Sequence, residues 1–342
     1  RADYKTGLAT DLHRQYYEQR ASAGLILTEC MYVDWRGNGY PGAPGLTNKE
    51  QAESWKKVTK AVHDKGGVIF AQLYHSGRIG HPNYTGLNPV GPSRVEIRDQ
   101  IRIFTSKGMD DPVLCDEMTV KDIKEVEDKF EAAAKFAQEA GFDGIEIHAA
   151  NGYLLDNFLR DETNRRTDEY GGSIEKRCKF PLNVIDRTIK VWGSKRVGIK
   201  VSPVGRFNGM YDSNPKALFN YLTKELDKRD LGYICFFEYD GWPKTPFGPG
   251  TDQIPNCAKE FKPLTKVPIM TTGGNVTVEE GIKRLEEKIA ELVCFAKPFI
   301  SNPDLVERIK NDWPLAMAND KQFYTPGPEG YIDYPAYNPK SL

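Results

Sequence analysis

The chain lacks an excess of charge of either sign, and it lacks a long apolar run. Its 342 residues include 47 lysines and arginines against 48 aspartates and glutamates, so no broad basic surface is available to bind nucleic acid or an anionic membrane. No apolar run approaches the roughly 20 residues that cross a bilayer, and no signal-peptide pattern opens the sequence. These absences predict a cytoplasmic protein whose partners are small molecules, with neither nucleic acid nor a membrane among them.

The cysteines are too dispersed to form a metal module or a disulfide framework. None of the six stands in a Cys-x-x-Cys spacing, which is the usual mark of a zinc module. His75 and His81 flank glycines in one segment, but no third ligand follows at a metal-site spacing. We therefore predict no metal site, and a reducing compartment.

Short runs of β-branched and aromatic residues alternate with helical patterns along the whole chain. This alternation is typical of parallel strands joined by helical crossovers. The predicted strands cover residues 24–30, 68–74, 144–149, 197–202, 233–238, 268–272 and 292–297, and the predicted helices cover residues 11–23, 49–65, 120–140, 173–191, 214–229, 278–286 and 303–311. The pattern predicts an α/β fold of the eight-stranded (β/α)8 barrel type, whose first strand is expected upstream of residue 1.

No change of composition marks a linker, so we predict a single domain over residues 1–342. Two stretches, at about residues 77–117 and 239–257, are too long for simple loops. In barrels, such excursions after strands usually build the mouth of the active site.

A cluster of polar residues follows the predicted strand at residues 144–149. The apolar run there ends at His148, and Asn151 and Tyr153 come within one short turn. Ligands of strand-helix proteins bind at the carboxyl ends of strands. A lone histidine would be explained more simply as a core residue, but the three residues together favour a ligand site.

The two last predicted strands end in segments suited to a phosphate group. Thr272-Gly273-Gly274-Asn275 lets the backbone approach a ligand closely, and Lys297 adds a cation after the next strand. Barrel enzymes commonly bind phosphate between these two loops. The alternative is that the glycines only turn the chain and that Lys297 is a solvated charge. A literal G-x-G-x-x-G at residues 37–42 contains Pro41 and does not open a helix, so it does not predict a dinucleotide site.

Six segments spread along the chain form a recognisable set: residues 20–29 (RASAGLILTE), 72–78 (QLYHSGR), 148–155 (HAANGYLL), 164–175 (NRRTDEYGGSIE), 299–305 (FISNPDL) and 330–335 (GYIDYP). Together they resemble the old yellow enzyme family of flavin-dependent ene-reductases, over nearly the whole chain. The resemblance implies an eight-stranded α/β barrel that holds FMN non-covalently.

The resemblance also implies which residues bind FMN. Gln72 is expected at the flavin ring, with backbone contacts from Cys30 and Ala296, and the residues expected at the phosphate are Gly274, Asn275 and Lys297. Lys200 stands where many relatives have an arginine near the ring, and Lys297 likewise replaces a usual arginine. Lysine keeps the positive charge but loses the two-pronged hydrogen bonding of arginine.

For the substrate, the resemblance implies that His148 and Asn151 bind the carbonyl or nitro oxygen and that Tyr153 donates the proton. Oxygen polarisation stabilises the negative charge that develops as hydride arrives. A phenol with an ordinary pKa near ~10 is protonated at neutral pH and can act as the acid. The residues expected to line the pocket are Tyr40, Tyr74, Phe247 and Tyr324.

The function implied is a two-step oxidoreductase acting as a monomer or a homodimer. NADPH reduces FMN, which then passes hydride to an α,β-unsaturated carbonyl or nitro compound. One alternative is a prostaglandin F2α synthase, as in kinetoplastids, which reduces the endoperoxide of prostaglandin H2. Another is a barrel that binds small carbonyl compounds without turning them over. A phosphosugar isomerase or aldolase is disfavoured, because Lys200 and Lys297 are better explained as flavin-binding residues than as catalytic lysines.

Overall fold

The computed structural model describes residues 1–97, 101–238, 254, 256–273 and 276–338. The strands within these residues are β1 (Ile26–Tyr32), β2 (Ile69–Tyr74), β3 (Val90–Gly91), β4 (Ile103–Thr105), β5 (Gly108–Asp110), β6 (Asp116–Glu117), β7 (Gly144–Ala149), β8 (Val197–Val201), β9 (Tyr233–Glu238), β10 (Ile269–Gly273) and β11 (Leu292–Cys294). The α-helices there are α1 (Asp11–Gln19), α2 (Lys49–Asp64), α3 (Pro82–Thr85), α4 (Val120–Glu139), α5 (Leu154–Leu159), α6 (Ile174–Trp192), α7 (Pro215–Asp227), α8 (Cys257–Phe261), α9 (Val278–Glu286), α10 (Lys297–Ser301) and α11 (Leu305–Lys310).

Seven of the strands form one parallel sheet in the order β1, β2, β7, β8, β9, β10 and β11. Every neighbouring pair in this sheet is parallel, and helices connect the strands, as a parallel arrangement requires. The predicted α/β architecture is confirmed, and the sheet is consistent with a (β/α)8 barrel. Among the helices of the described residues, none is long and apolar enough to cross a lipid bilayer.

Helix α4 shows how the sequence directs a helix onto the sheet. Thr119 Oγ1 accepts from the Asp122 backbone N–H at 3.2 Å, and Asp122 Oδ2 accepts from the Thr119 N–H at 2.7 Å, which caps the first turn. Ile123, Phe130 and Ala137 recur at helical spacing and are fully buried. Their burial holds α4 in the main core beneath the sheet.

On the inner side of the sheet, one row of residues crosses three strands. Glu146 on β7 pairs in register with Gly198 on β8, which pairs with Tyr233 on β9. A Cβ at Gly198 would lie 2.2 Å from Cζ of Tyr233. The glycine therefore makes room for the Tyr233 ring to cross β8 toward Glu146.

Several predicted boundaries were wrong by a few residues. At the last strand, the early end of the strand has a chemical cause. The strand predicted over 292–297 ends at Cys294, and Lys297 begins α10. Pro298 has no N–H for a strand ladder, and its fixed φ suits the first turn of a helix. The strand predicted over 24–30 runs two residues further, because Met31 and Tyr32 still pair with β2.

The predicted excursion at residues 77–117 contains small elements that the sequence did not predict. Helix α3, strands β3 and β6, and the antiparallel hairpin of β4 and β5 all lie in it. Most of the second excursion, residues 239–253 and 255, lies outside the described residues.

Candidate active site

The turn after β7 places three polar side chains at the carboxyl end of the sheet. Asn151 has φ 58°, in the left-handed region that asparagine tolerates better than most residues. Its backbone N–H donates to Ser202 Oγ at 2.8 Å, and its carbonyl accepts from Asn208 Nδ2 at 2.8 Å. These contacts hold the turn so that His148, Asn151 and Tyr153 emerge together.

His148 lies in the inner row of β7 and is almost fully buried. Its Nδ1 accepts from the Ala150 backbone N–H at 3.3 Å, so a neutral ring carries its proton on Nε2. Burial, followed by the nearby charge of Lys200, holds the pKa of His148 well below its usual value. At neutral pH the ring is therefore uncharged and offers Nε2–H as a hydrogen-bond donor.

The side chain of Asn151 has an unused polar atom. Its Oδ1 is buried and has no hydrogen-bond partner among the described residues. Buried amide oxygens are nearly always paired in folded proteins. An orphan of this kind beside a histidine donor is suited to a ligand that completes the site.

Tyr153 is packed among aromatic rings, and its side chain is 8% exposed. Its ring centroid lies 4.9 Å from that of His148 and 5.2 Å from that of Tyr74, and its hydroxyl donates to Tyr40 Oη at 3.1 Å. Burial raises the pKa of Tyr153 well above the usual value, and the neighbouring Tyr40 adds to this. The phenol is therefore a protonated acid at any physiological pH.

Gln72 on β2 connects two further groups in the interior of the sheet. Its Nε2 donates to Glu146 at 2.5 Å, and its Oε1 accepts from the Cys30 thiol at 2.8 Å. Burial raises the pKa of the Cys30 thiol to about 12, so the thiol remains protonated. Glu146 was not predicted as a site residue. The signal that could have indicated it is an acidic residue in the middle of an apolar strand.

Lys200 on β8 is the cation of this interior. Burial alone would lower the pKa of Lys200, but the Cys235 thiol and the Glu146 carboxylate raise it above the usual value on balance. Its ammonium lies 5.5 Å from the centroid of the Phe237 ring. Lys200 therefore remains charged while partly buried.

The described part of the predicted phosphate site lies at the end of β10, at Gly273, and after β11. Ala296 and Lys297 are exposed at the start of α10, and a Cβ at Gly273 would lie 2.0 Å from the Glu238 carbonyl oxygen. The predicted residues Gly274 and Asn275 lie outside the described residues, as does Phe247 of the predicted pocket.

The remaining aromatic residues lie at two depths. Tyr40 and Tyr74 pack against Tyr153, whereas Tyr324 is 83% exposed. Tyr324 borders an outer cavity of about 570 Å³, which is also lined by Tyr4, Trp35, Pro41, Tyr84 and Phe104. Pro41 adjoins Tyr40, so this cavity lies beside the aromatic group around Tyr153.

Comparison with known proteins gives concordant matches. Residues 1–316 match the NADH:flavin oxidoreductase / NADH oxidase family. The chain is 40% identical over 325 residues to putative 12-oxophytodienoate reductase 5 of Oryza sativa subsp. japonica, covering 94% of this chain and 84% of that protein. It is 37% identical over 326 residues to a probable flavin mononucleotide-dependent alkene reductase of Leishmania infantum, covering 94% and 87%.

Solved structures give the same result for the fold. The old yellow enzyme homologue from Zymomonas mobilis superposes with a TM-score of 0.93 at 38% identity, covering 98% of this chain and 93% of that one. Morphinone reductase in complex with tetrahydroNAD superposes with a TM-score of 0.89 at 36% identity, covering 98% and 90%.

Proposed function

Because the chain belongs to the old yellow enzyme family of FMN-dependent oxidoreductases, we propose that it uses NADPH to reduce α,β-unsaturated carbonyl or nitro compounds. The observation that carries this proposal is the placement of a buried, protonated Tyr153 against the neutral His148 ring. The two groups supply an acid and a hydrogen-bond donor at one strand end. Reduction of a polarised alkene needs both.

The chemistry of the interior residues fits FMN. The Gln72 amide and the Lys200 ammonium offer hydrogen bonds and positive charge to the flavin ring, with backbone contacts from Cys30 and Ala296. Lys297, with Gly274 and Asn275, would hold the phosphate. The orphaned Oδ1 of Asn151 leaves a polar atom for a ligand above them. When bound, FMN supplies the hydride that it has received from NADPH.

His148 and Asn151 bind the oxygen of the substrate in this proposal. The Nε2–H of neutral His148 and the amide N–H of Asn151 donate to the carbonyl or nitro oxygen. Negative charge grows on that oxygen as the β carbon receives hydride, so donors already in place stabilise the transition state.

Tyr153 completes the reduction by protonating the α carbon. Hydride at the β carbon and the phenol proton at the α carbon together convert the C=C bond to a C–C single bond. The resulting phenolate needs a donor, and the Tyr40 hydroxyl at 3.1 Å is in reach to stabilise it. The raised pKa of Tyr153 keeps the acid form available throughout the physiological range.

A visible absorbance experiment tests the proposal. The purified protein should be yellow, bleach on anaerobic addition of NADPH and recover its colour on addition of cyclohexenone. A colourless protein that takes up no added FMN would instead favour the binding-only alternative. Parallel assays with NADH measure the preference for the reductant. Reduction of the prostaglandin H2 endoperoxide stays a prediction from the sequence, and turnover of that substrate beside cyclohexenone distinguishes the two substrate classes.

A further inference from the structure

Glu146 is a carboxylate fully buried in the interior of the sheet, on a strand whose other residues are mostly apolar. Burying such a group is unfavourable unless it has partners. One of its oxygens accepts from Gln72 Nε2 at 2.5 Å, and the other has no close hydrogen-bond partner among the described residues. Its principal contact is therefore with a residue proposed to bind FMN.

The contacts of Gln72 define which way its amide points. The amide NH2 of Gln72 faces Glu146, whose oxygen accepts the hydrogen bond from Nε2. The Cys30 thiol donates to Oε1 from the other side at 2.8 Å. An amide rotated by half a turn would set its oxygen against the carboxylate and its NH2 against the thiol hydrogen. The two neighbours together allow one orientation.

The Tyr233 ring crosses β8 over Gly198 toward Glu146, where no Cβ obstructs it. The Tyr233 hydroxyl and the second Glu146 oxygen are both buried, and neither makes a hydrogen bond among the described residues. Burial raises the pKa of Glu146 on balance, although the nearby charge of Lys200 favours its ionised form. The row Gln72, Glu146 and Tyr233 thus runs across four strands.

We infer that Glu146 is a positioning residue for the flavin: its carboxylate fixes the Gln72 amide in the orientation that binds the FMN ring. The inference rests on the proposed function, in which Gln72 contacts the ring. Gln72 keeps one N–H and one lone pair unused by Glu146 and Cys30. With the amide orientation fixed, this donor and acceptor are presented in a defined order.

A double-mutant cycle on the holoprotein tests this inference. The dissociation constant of FMN is measured from the fluorescence of FMN released on dilution, for the wild type, Glu146→Gln, Gln72→Leu and the double variant. Glu146→Gln keeps the shape but gives the residue an NH2 that can oppose the Gln72 amide. We expect it to weaken FMN binding about tenfold, the range for loss of a hydrogen bond to a charged group, and to shift the visible spectrum of bound FMN.

The cycle separates positioning from a purely structural role. In the Gln72→Leu background, Glu146→Gln should change FMN affinity less than about twofold, because the group it positions is gone. Equal effects of Glu146→Gln in both backgrounds, or wild-type affinity and spectrum in Glu146→Gln, would overturn the inference. A wild-type protein that binds no FMN would instead refute the proposed function.

Two further variants keep the test decisive. Glu146→Asp draws the carboxylate back from Gln72 Nε2 by one methylene and should weaken FMN binding about threefold in the same direction; if Glu146→Gln does not fold, unchanged affinity in Glu146→Asp overturns the inference. Glu127→Gln is the matched control, since Glu127 is also buried but bonds Asn183 on the helical layer, at 2.8 Å. It should lower thermal stability without changing FMN affinity.

Discussion

The hydroxyl of Tyr153 donates a hydrogen bond to the hydroxyl of Tyr40, with 3.1 Å between the two oxygens. Both phenols have pKa values above the usual range, chiefly because they are buried. The pair joins a residue of the turn after β7 to one in the loop after β1, and it fixes where the Tyr153 hydroxyl lies. In the proposed function, proton donation from Tyr153 thus depends on a contact between distant segments.

Replacing Tyr153 by phenylalanine should separate the two half-reactions. The variant keeps the ring but loses the acid, so reoxidation by cyclohexenone should slow by about 10²–10⁴-fold, the usual contribution of general acid catalysis. Reduction by NADPH should remain near the wild-type rate, because that step needs no phenol proton. Anaerobic stopped-flow absorbance measures both rates. Equal slowing of both half-reactions would contradict the assigned role.

Combined replacement of His148 and Asn151 by alanine should weaken binding of oxygen ligands to the oxidised protein. Each residue contributes one hydrogen bond of about 0.5–1.5 kcal/mol, so phenol affinity should fall between about fivefold and about 150-fold. FMN should stay bound, since neither residue is proposed to hold it. The absorbance change on phenol titration reports the affinity, and an unchanged value would contradict the assignment.

The grouping of His148, Asn151 and Tyr153 could be predicted from sequence, but most of the contacts around them could not. His148, Asn151 and Tyr153 are neighbours in the chain, so a strand followed by a turn was enough to place them together. The contact of Gln72 with Glu146 depends on the register of β2 against β7. That register follows from packing of the whole sheet, which no local pattern encodes.

Other features of the structure differ in how far a single segment of the sequence indicates them. The crossing of Tyr233 over Gly198 needs both the register and the missing Cβ, and neither is visible in a single segment. The shortened last strand was visible in principle, because Pro298 marks it. The hairpin of β4 and β5 was harder to predict, since its strands are only three residues long.

Lowering the pH should destabilise the fold through its buried histidines. Burial, and then the charge of Lys200, depresses the pKa of His148, and burial lowers the pKa of His75 to about 4. The unfolded chain takes up these protons below about pH 6.5 while the folded protein does not. The stabilisation is therefore complete above about pH 6.5 and is lost as the pH falls toward the folded pKa values, at up to about 1.4 kcal/mol per pH unit for each histidine.

Urea unfolding at about pH 7.5 and about pH 5.5 measures this loss. The variant His148→Asn removes one of the two buried histidines. The drop in its free energy of unfolding between the two pH values should therefore be about 1 kcal/mol smaller than that of the wild type. The exposed His63 supplies the matched control, because His63→Asn removes a histidine without removing a buried one. If His148→Asn and the wild type lose the same stability between the two pH values, His148 is not a buried, neutral residue in the folded protein.

Contacts in the outer cavity beside Tyr40 should affect the binding of large substrates only. Its volume of about 570 Å³ lies within the range of ligand pockets, and Phe104 on strand β4 forms part of its wall. Phe104→Ala should therefore raise KM for an enone bearing a bulky apolar substituent about three- to tenfold, through loss of apolar contact, while KM for cyclohexenone stays unchanged. Met109→Ala is the control, because Met109 lies on the same hairpin and is 51% exposed but does not line the cavity. Equal changes in KM for both substrates would show that Phe104 acts on the hairpin fold rather than on the bound substituent.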